Sequence, residues 1–158
     1  MEVLTYFLTG IITYLGLGCG IGLAYIAKEE LNDGRKYFIL SQNIILPLII
    51  FSFLYFLKVN LIIDITVSII SFICLYYFNN LKNDNFKKNF YYIYLILGII
   101  FFISSKNNNF FIVESSLIFL YGFPTGSLII DVKKKNFFEI LLKTISFIFI
   151  SMVLFLMF

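Results

Sequence analysis

The chain alternates between long apolar stretches and short polar connectors. Six apolar stretches reach or approach the roughly 20 residues that a helix needs to cross a bilayer. Connectors this short force neighbouring stretches into antiparallel hairpins. The pattern predicts an all-α polytopic membrane protein: a bundle of about six transmembrane helices in three hairpins, forming one domain over residues 1–158. The expected spans are 3–27, 37–57, 61–78, 90–105, 110–130 and 137–158, of which the fourth is the shortest.

The composition supports a membrane location. Of 158 residues, 61% are apolar and only 13% are charged, whereas soluble domains have about 45–50% apolar and about 25% charged residues. The lipid bilayer is therefore the first expected partner. The net charge of +3 is spread over short patches, which argues against a nucleic-acid partner. Glu2 stands where a secretory signal carries basic residues, so we interpret the first stretch as a retained span.

The connectors also predict the orientation of the chain. They carry three, one, three, one and three Lys or Arg residues in order along the chain. Basic connectors remain on the cytoplasmic side of a membrane, so connectors 28–36, 79–89 and 131–136 are expected in the cytoplasm. We therefore expect a cell-membrane protein with both termini extracytoplasmic.

Glycines in the first span predict close helix packing. Gly16 and Gly20 lie on one helical face, and Gly18 and Gly22 form a second strip roughly opposite. Small residues let helix backbones approach each other in lipid, so the first span is expected between two partner helices. The fifth span carries packing glycines at the same spacing, Gly122 and Gly126. The tract lacks the GxGxxG spacing of a phosphate-binding loop.

Two polar groups are predicted near the cytoplasmic ends of the spans. In the GFPTGS segment of the fifth span, Pro124 removes a backbone donor and predicts a kink or short break, which the Thr125 and Ser127 hydroxyls could compensate. Gln42 and Asn43 of the second span carry amides that lipid cannot satisfy. We expect the two groups to face each other, either as a transport site or as ordinary hydrogen bonds between helices.

Four ionisable residues lie within the predicted spans. Asp64 and Glu114 are near the outer ends of the third and fifth spans, where they are either functional or simply reach interfacial water. Glu139 and Lys143 are four residues apart in the sixth span, a spacing that suits a helical ion pair. That pair is either part of the cytoplasmic polar site or a local contact.

Catalytic motifs are scarce. The chain has no histidine and no Walker, GxSxG or HExxH motif, so we expect no catalytic, cofactor-binding or metal-binding residues. An enzyme is not excluded but is disfavoured. Cys19 and Cys74 lie in apolar runs without CxxC spacing and are interpreted as small hydrophobic residues.

One segment resembles a known group of proteins. Residues 23–38 read LAYIAKEELNDGRKYF, which resembles the LAxIAPEELxxGKKYF stretch of small archaeal multi-pass membrane proteins. Here Lys28 stands in place of the proline and Arg35 in place of a lysine. The resemblance covers 16 of 158 residues. It implies a lineage and no activity.

Three functions are therefore considered. The first is a small transporter or permeation-type protein, because several polar features fall in one half of the bundle. The alternative is a non-catalytic membrane subunit or assembly partner, with a second membrane protein or another copy of this chain docked on it. The least favoured is an enzyme that modifies lipids at the inner leaflet, since its acid and base groups are missing.

The orientation yields a first testable prediction. Reporter domains inserted into connectors 28–36, 79–89 and 131–136 should all report a cytoplasmic position, because these connectors hold most of the basic residues. A terminal fusion should report the opposite side. A single one of the three connectors reporting an outside position would contradict the six-span topology.

Overall fold

A computed structural model describes residues 2–27, 29, 31–80, 84–129 and 137–157. Over these residues the chain is helical, and they form no strands. The all-α fold class is therefore confirmed. The helices are α1 (Val3–Ile26), α2 (Leu31–Phe56), α3 (Leu61–Asn80), α4 (Asp84–Ser104), α5 (Asn108–Ile129), α6 (Phe137–Thr144) and α7 (Ser146–Met157).

Helices α6 and α7 together form the sixth span. Only Ile145 separates them. The amide of Ile145 donates to the Leu141 carbonyl at 2.9 Å, and the amide of Phe149 donates to the Ile145 carbonyl at 3.0 Å. Because these are the i to i−4 bonds of an α-helix, the backbone continues as one helical rod.

Four of the spans are long and apolar enough to cross a membrane: Val3–Ile26, Asp33–Phe56, Asn108–Ile129 and Phe138–Met157. The apolar parts of α3 and α4 are shorter, at Leu61–Tyr77 and Phe90–Ser104. Large apolar side chains remain exposed on most of these helices, which is the surface that lipid covers in a polytopic membrane protein. The chain is thus a multi-pass membrane protein.

Two helices begin earlier than the hydropathy pattern predicts. Helix α2 starts at Leu31 rather than 37, and α4 starts at Asp84 rather than 90. Asp33 lies in the first turn of α2, where a carboxylate favours the positive end of the helix dipole. The polar connectors therefore supply the first turns of helices, and the apolar runs mark only the lipid-facing length. Parts of the third connector and the whole fifth connector, residues 81–83 and 130–136, lie outside the described residues.

The turn between α2 and α3 is a Schellman motif with an unusual residue. The amide of Lys58 donates to the Tyr55 carbonyl at 3.0 Å, and the amide of Val59 donates to the Leu54 carbonyl at 3.2 Å. Lys58 has a φ of 55°, in the left-handed region where glycine is the usual residue. Asn60 then caps α3 by accepting the Ile62 amide at 3.1 Å. This pairing of motifs explains how the four residues between Phe56 and Leu61 suffice to reverse the chain.

Helices α1 and α5 make the closest contact in the bundle. A Cβ atom added to Gly16 would lie 2.1 Å from the Phe119 carbonyl oxygen, and one added to Gly20 would lie 2.2 Å from that of Phe123. On the opposite side, an added Cβ at Gly122 would lie 2.4 Å from the Leu17 amide nitrogen. Here backbone meets backbone, so only glycine fits.

The second glycine strip of α1 does not behave as predicted. A Cβ added to Gly18 or Gly22 would meet nothing within 4 Å. These two residues therefore do not pack against another helix among the described residues, where the expected second packing strip does not occur. The physical reason is that α1 already meets its second partner, the rod of α6 and α7, through larger side chains rather than through glycines: Tyr6 contacts Ser151 of α7 and Tyr14 contacts Leu141 of α6.

The remaining helices are arranged around the α1–α5 pair. Helix α2 packs on α5 and carries α3 on its other side, whereas α4 packs on both α5 and α7. The centre is filled with aromatic side chains. Tyr6 lies with its ring centroid 5.2 Å from that of Phe101, which in turn lies 4.7 Å from Phe111 and 5.4 Å from Phe147. This part of the bundle has no room for a wide pore.

The glycine contacts give a matched pair of substitutions. Gly20→Ala should lower stability by about 1–3 kcal/mol, because the added methyl group forces α1 and α5 apart. Gly18→Ala adds the same methyl group on the same helix, into open space, and should leave stability unchanged or raise it by up to about 1 kcal/mol. Thermal unfolding in detergent measures both. Equal effects of the two substitutions would contradict the α1–α5 contact.

Candidate functional site

The first element of the site is a buried amide. Gln42 of α2 is fully buried, and its Nε2 donates to the hydroxyls of Tyr121 and Thr125 on α5, each at 3.2 Å. The Thr125 hydroxyl itself donates to the Tyr121 carbonyl at 2.7 Å, so it is free to accept from Gln42. The structure thus brings the start of the second span and the GFPTGS segment together, as the sequence predicted.

The second element lies between the same two helices, toward their other ends. Glu114 of α5 has no solvent exposure, and its Oε1 is hydrogen-bonded to the Ser52 hydroxyl on α2. The same hydroxyl lies 3.1 Å from the Ile49 carbonyl oxygen. The second carboxyl oxygen of Glu114 has no hydrogen-bond partner among the described residues. Since Glu114 is buried, it does not reach interfacial water in this structure.

An apolar layer separates the two polar contacts. Helices α2 and α5 run antiparallel, and the pairs Gln42–Thr125 and Ser52–Glu114 define their register. This register places Ile49 opposite Ile118, and both side chains are buried in the hydrophobic core. Gln42 and Ser52 are ten residues apart, which is about 15 Å along a helix. We call this arrangement the polar seam: the residues Gln42, Ser52, Glu114, Tyr121 and Thr125.

A pocket lies beyond each end of the polar seam. Near Gln42, a pocket of about 560 Å³ is lined by Ser127, only two residues from Thr125. At the opposite end, a groove of about 690 Å³ is lined by Phe56 and Phe110. These two rings stack with centroids 4.1 Å apart, one helical turn from Ser52 and Glu114. Both pockets therefore stop short of the buried polar groups.

Further polar groups near the seam lack partners. The carbonyl oxygen of the Gln42 side chain and the Tyr94 hydroxyl are buried without a hydrogen bond within the described residues. The Tyr94 ring lies 6.3 Å from that of Tyr121, so both groups belong to one cluster. A buried polar atom without a partner costs about 1–3 kcal/mol. The cluster is therefore costly for the fold, and a small polar molecule could satisfy it.

The proline segment of α5 differs in part from expectation. Helix α5 continues through Pro124 as far as Ile129, so the predicted short break does not occur. The Ser127 hydroxyl lies 2.8 Å from the Gly20 carbonyl and 3.1 Å from the Phe123 carbonyl. It therefore ties α5 to α1 rather than compensating the proline within its own turn. Asn43 is buried next to Gln42 in the sequence.

Two predicted ionisable groups lie apart from the polar seam. Lys143 and Glu139 form an i,i+4 ion pair of 2.6 Å with side chains that are 53% and 61% exposed. This is a local surface contact, in line with the simpler of the two interpretations. Asp64 of α3 is fully buried, and neither of its carboxyl oxygens has a partner in the described part of the chain. It also does not reach interfacial water here.

Several interior residues were missed by the sequence analysis. Tyr14 donates to the Leu141 carbonyl at 2.8 Å and contacts the Thr144 hydroxyl at 2.9 Å, where α6 meets α7. Tyr121 and Ser52 complete the polar seam. A signal was present, because Glu114, Tyr121 and Thr125 recur on one face of α5 at spacings of seven and four.

Comparisons with known proteins add no relatives. No family model, curated protein or solved structure matches the chain. In the described part of the chain, no three His, Cys, Asp or Glu side chains group as a metal site would require. The candidate site is therefore defined by its geometry: two buried polar contacts between α2 and α5, an apolar layer between them, and a pocket beyond each end.

Proposed function

We propose that this chain is a small transport or permeation protein of the cell membrane, and that its solute passes along the polar seam between α2 and α5. The observation that carries the proposal is the order of layers along these helices. Along α2 and α5, a pocket is followed by a buried polar contact and then by an apolar layer. A second buried polar contact and a second pocket follow on the other side of that layer. Transport requires such a path, and it requires that the path be closed at rest.

The chemistry of the seam supports a small, uncharged polar solute. Its groups are one amide and hydroxyls, which offer hydrogen bonds without fixed charge, together with the single carboxyl of Glu114. Lipid offers no hydrogen bonds, so such groups lower the cost of carrying a polar molecule between the helices. The apolar layer of Ile49 and Ile118 would act as the barrier, since narrow apolar constrictions in channels gate by excluding water.

The orientation and lineage remain part of the proposal. The distribution of basic residues supports a cytoplasmic position for the pocket near Gln42 and an extracytoplasmic position for both termini. The resemblance of residues 23–38 to small archaeal membrane proteins supports a lineage and lends no activity.

Opposite changes in flux test the proposal. In proteoliposomes, wild-type protein should accelerate the entry of urea or glycerol over empty vesicles, measured by stopped-flow light scattering. Gln42→Leu should lower this rate about tenfold, because a loss of about 1.4 kcal/mol in hydrogen bonding corresponds to a factor of ten. Ile49→Ala should raise it by thinning the apolar barrier.

Leu48→Ala is the matched control, because Leu48 is the neighbour of Ile49 and its side chain is 46% exposed. Its flux should equal that of the wild type. Size-exclusion chromatography checks that each variant is folded. This transport route is refuted if folded wild-type protein conducts neither solute. It is also refuted if Gln42→Leu and Ile49→Ala both leave the rate unchanged.

A specific observation also favours the alternative function, a non-catalytic membrane subunit. Gly18 and Gly22 face open space on α1, with the exposed Cys19 beside them. Small residues on a lipid-facing surface let a second helix approach closely. As the second candidate, we propose that this strip docks another helix, either a second copy of this chain or a different membrane protein.

Native cysteines make the second candidate testable. Two Cys19 residues can form a disulfide only if their Cα atoms come within about 7 Å, as they would where two α1 helices meet. With Cys74→Ser, mild oxidation in membranes should give a crosslinked dimer, and adding Gly22→Leu should abolish it. The control retains Cys74 and carries Cys19→Ser. If oxidation gives no Cys19 dimer, two copies do not dock through this strip, and copurification then tests a different partner.

A further inference from the structure

The Ser52 hydroxyl is the one hydrogen-bond partner of Glu114 among the described residues. The Ser52 hydroxyl has one hydrogen but lies at hydrogen-bond distance from two acceptors, the Ile49 carbonyl at 3.1 Å and Oε1 of Glu114. A carboxylate can only accept. The Ile49 carbonyl lies within α2, where it accepts a backbone amide of the helix. An ionised Glu114 would therefore take the Ser52 hydrogen, and this would be its one hydrogen bond among the described residues.

A protonated Glu114 fits both contacts of Ser52. Its own O–H then donates to the Ser52 oxygen, and the Ser52 O–H is released to donate to the Ile49 carbonyl. Each hydrogen has an acceptor in this chain of two bonds. No other donor is required, and the geometry of the heavy atoms is unchanged.

Burial also favours the protonated state of Glu114. The Glu114 side chain has no exposure, and its Oε2 has no partner among the described residues. No cation contacts it there either, because the Lys and Arg side chains near this end, Lys58 and Lys106, are exposed in the turns between helices. An ionised carboxyl inside a membrane protein, held by a single hydroxyl, is far more costly than a neutral one.

The other titratable groups of the neighbouring elements do not offset this cost. Tyr6 of α1 stacks on Phe111, but its hydroxyl donates to the Ser151 carbonyl at 3.0 Å. Toward the Glu114 end of the bundle, the neighbouring helices also carry Tyr55 of α2, which is exposed, and Asp64 of α3, on the far side of α2. On α4, Tyr94 lies beside Tyr121 rather than beside Glu114. None of these groups supplies a positive charge to offset a carboxylate at Glu114.

We propose that Glu114 is a proton-binding site: it holds a proton in the closed structure and exchanges that proton with water when the outer end of the polar seam opens. The proton comes from water and returns to water, leaving a carboxylate, so the step needs no other reactant. The exit lies at the stacked rings of Phe56 and Phe110, one turn away, which separate Glu114 from the outer groove. The coupling of this proton to solute movement rests on the proposed function, but proton binding itself does not.

Infrared spectroscopy tests proton binding directly. A carboxylic acid shows a C=O stretch that a carboxylate lacks and that shifts in heavy water. The measurement uses Asp64→Asn protein in lipid, so that Glu114 is the one deeply buried carboxyl of the described residues. An exposed glutamic acid is protonated in roughly one molecule in several hundred near pH 7. The protonated fraction of Glu114 should be more than about a hundredfold higher, which gives a clear band.

Glu114→Gln in the same background provides the matched comparison. Its amide can donate to Ser52 in place of the carboxylic acid, so the fold should be retained while the band disappears. Glu139→Gln is the control, because Glu139 is 61% exposed and ion-paired, and it should leave the band unchanged. A spectrum near pH 7 that lacks the band, or a band that survives Glu114→Gln, overturns the proposal.

Flux measurements separate this inference from the transport proposal. If the protein conducts solute with pH-dependent rates, Glu114→Gln should abolish that dependence. A protein that shows the band but no flux retains the proton site and loses the transport function. Flux without the band shows the reverse, a transport route whose carboxyl is ionised.

Discussion

The close approach of α1 and α5 is the contact on which the rest of the bundle depends. Apolar burial drives association weakly in lipid, because lipid tails are as apolar as the side chains that would be buried. Backbone contact replaces it at Gly16, Gly20 and Gly122, where an added methyl group would overlap the facing backbone. Ser127 fixes the same pair by bonding to the Gly20 carbonyl. Once α5 is held against α1 on one side, its polar face is available to α2 on the other.

The polar seam follows from that division of α5 into two faces. One face is made of glycines and packs on α1, and the other carries Glu114, Tyr121 and Thr125 toward α2. A polar side chain inside a membrane protein must find its partner within the protein, so the hydrogen bonds of Gln42 and Ser52 fix the position of α2. The same bonds that hold the bundle together therefore form the candidate path, and variants of Gln42 need a folding control.

The seam and its surroundings also contain buried polar atoms without hydrogen-bond partners, and each such atom lowers the stability of the fold. Within the seam, Gln42 and Glu114 each leave one such atom, and Tyr94, whose ring lies beside Tyr121, leaves another in the described part of the chain. For a scaffold, apolar residues of similar volume would be cheaper. In a protein that binds a solute or a proton, the same atoms are the groups that the bound species satisfies. This difference is what favours transport over a purely structural subunit.

The sequence by itself determined the all-α class and the pairing of Gln42 with Thr125, because lipid imposes length and polar satisfaction on membrane helices. It did not determine which glycine strip would pack. Gly16 with Gly20 and Gly18 with Gly22 have the same spacing, and only the position of α5 distinguishes them. It also could not show that Ser52 would meet Glu114, since that pairing depends on which helices become neighbours and in which register. Periodicity along one helix identifies a face, whereas the identity of the facing helix is decided by the packing of the whole bundle.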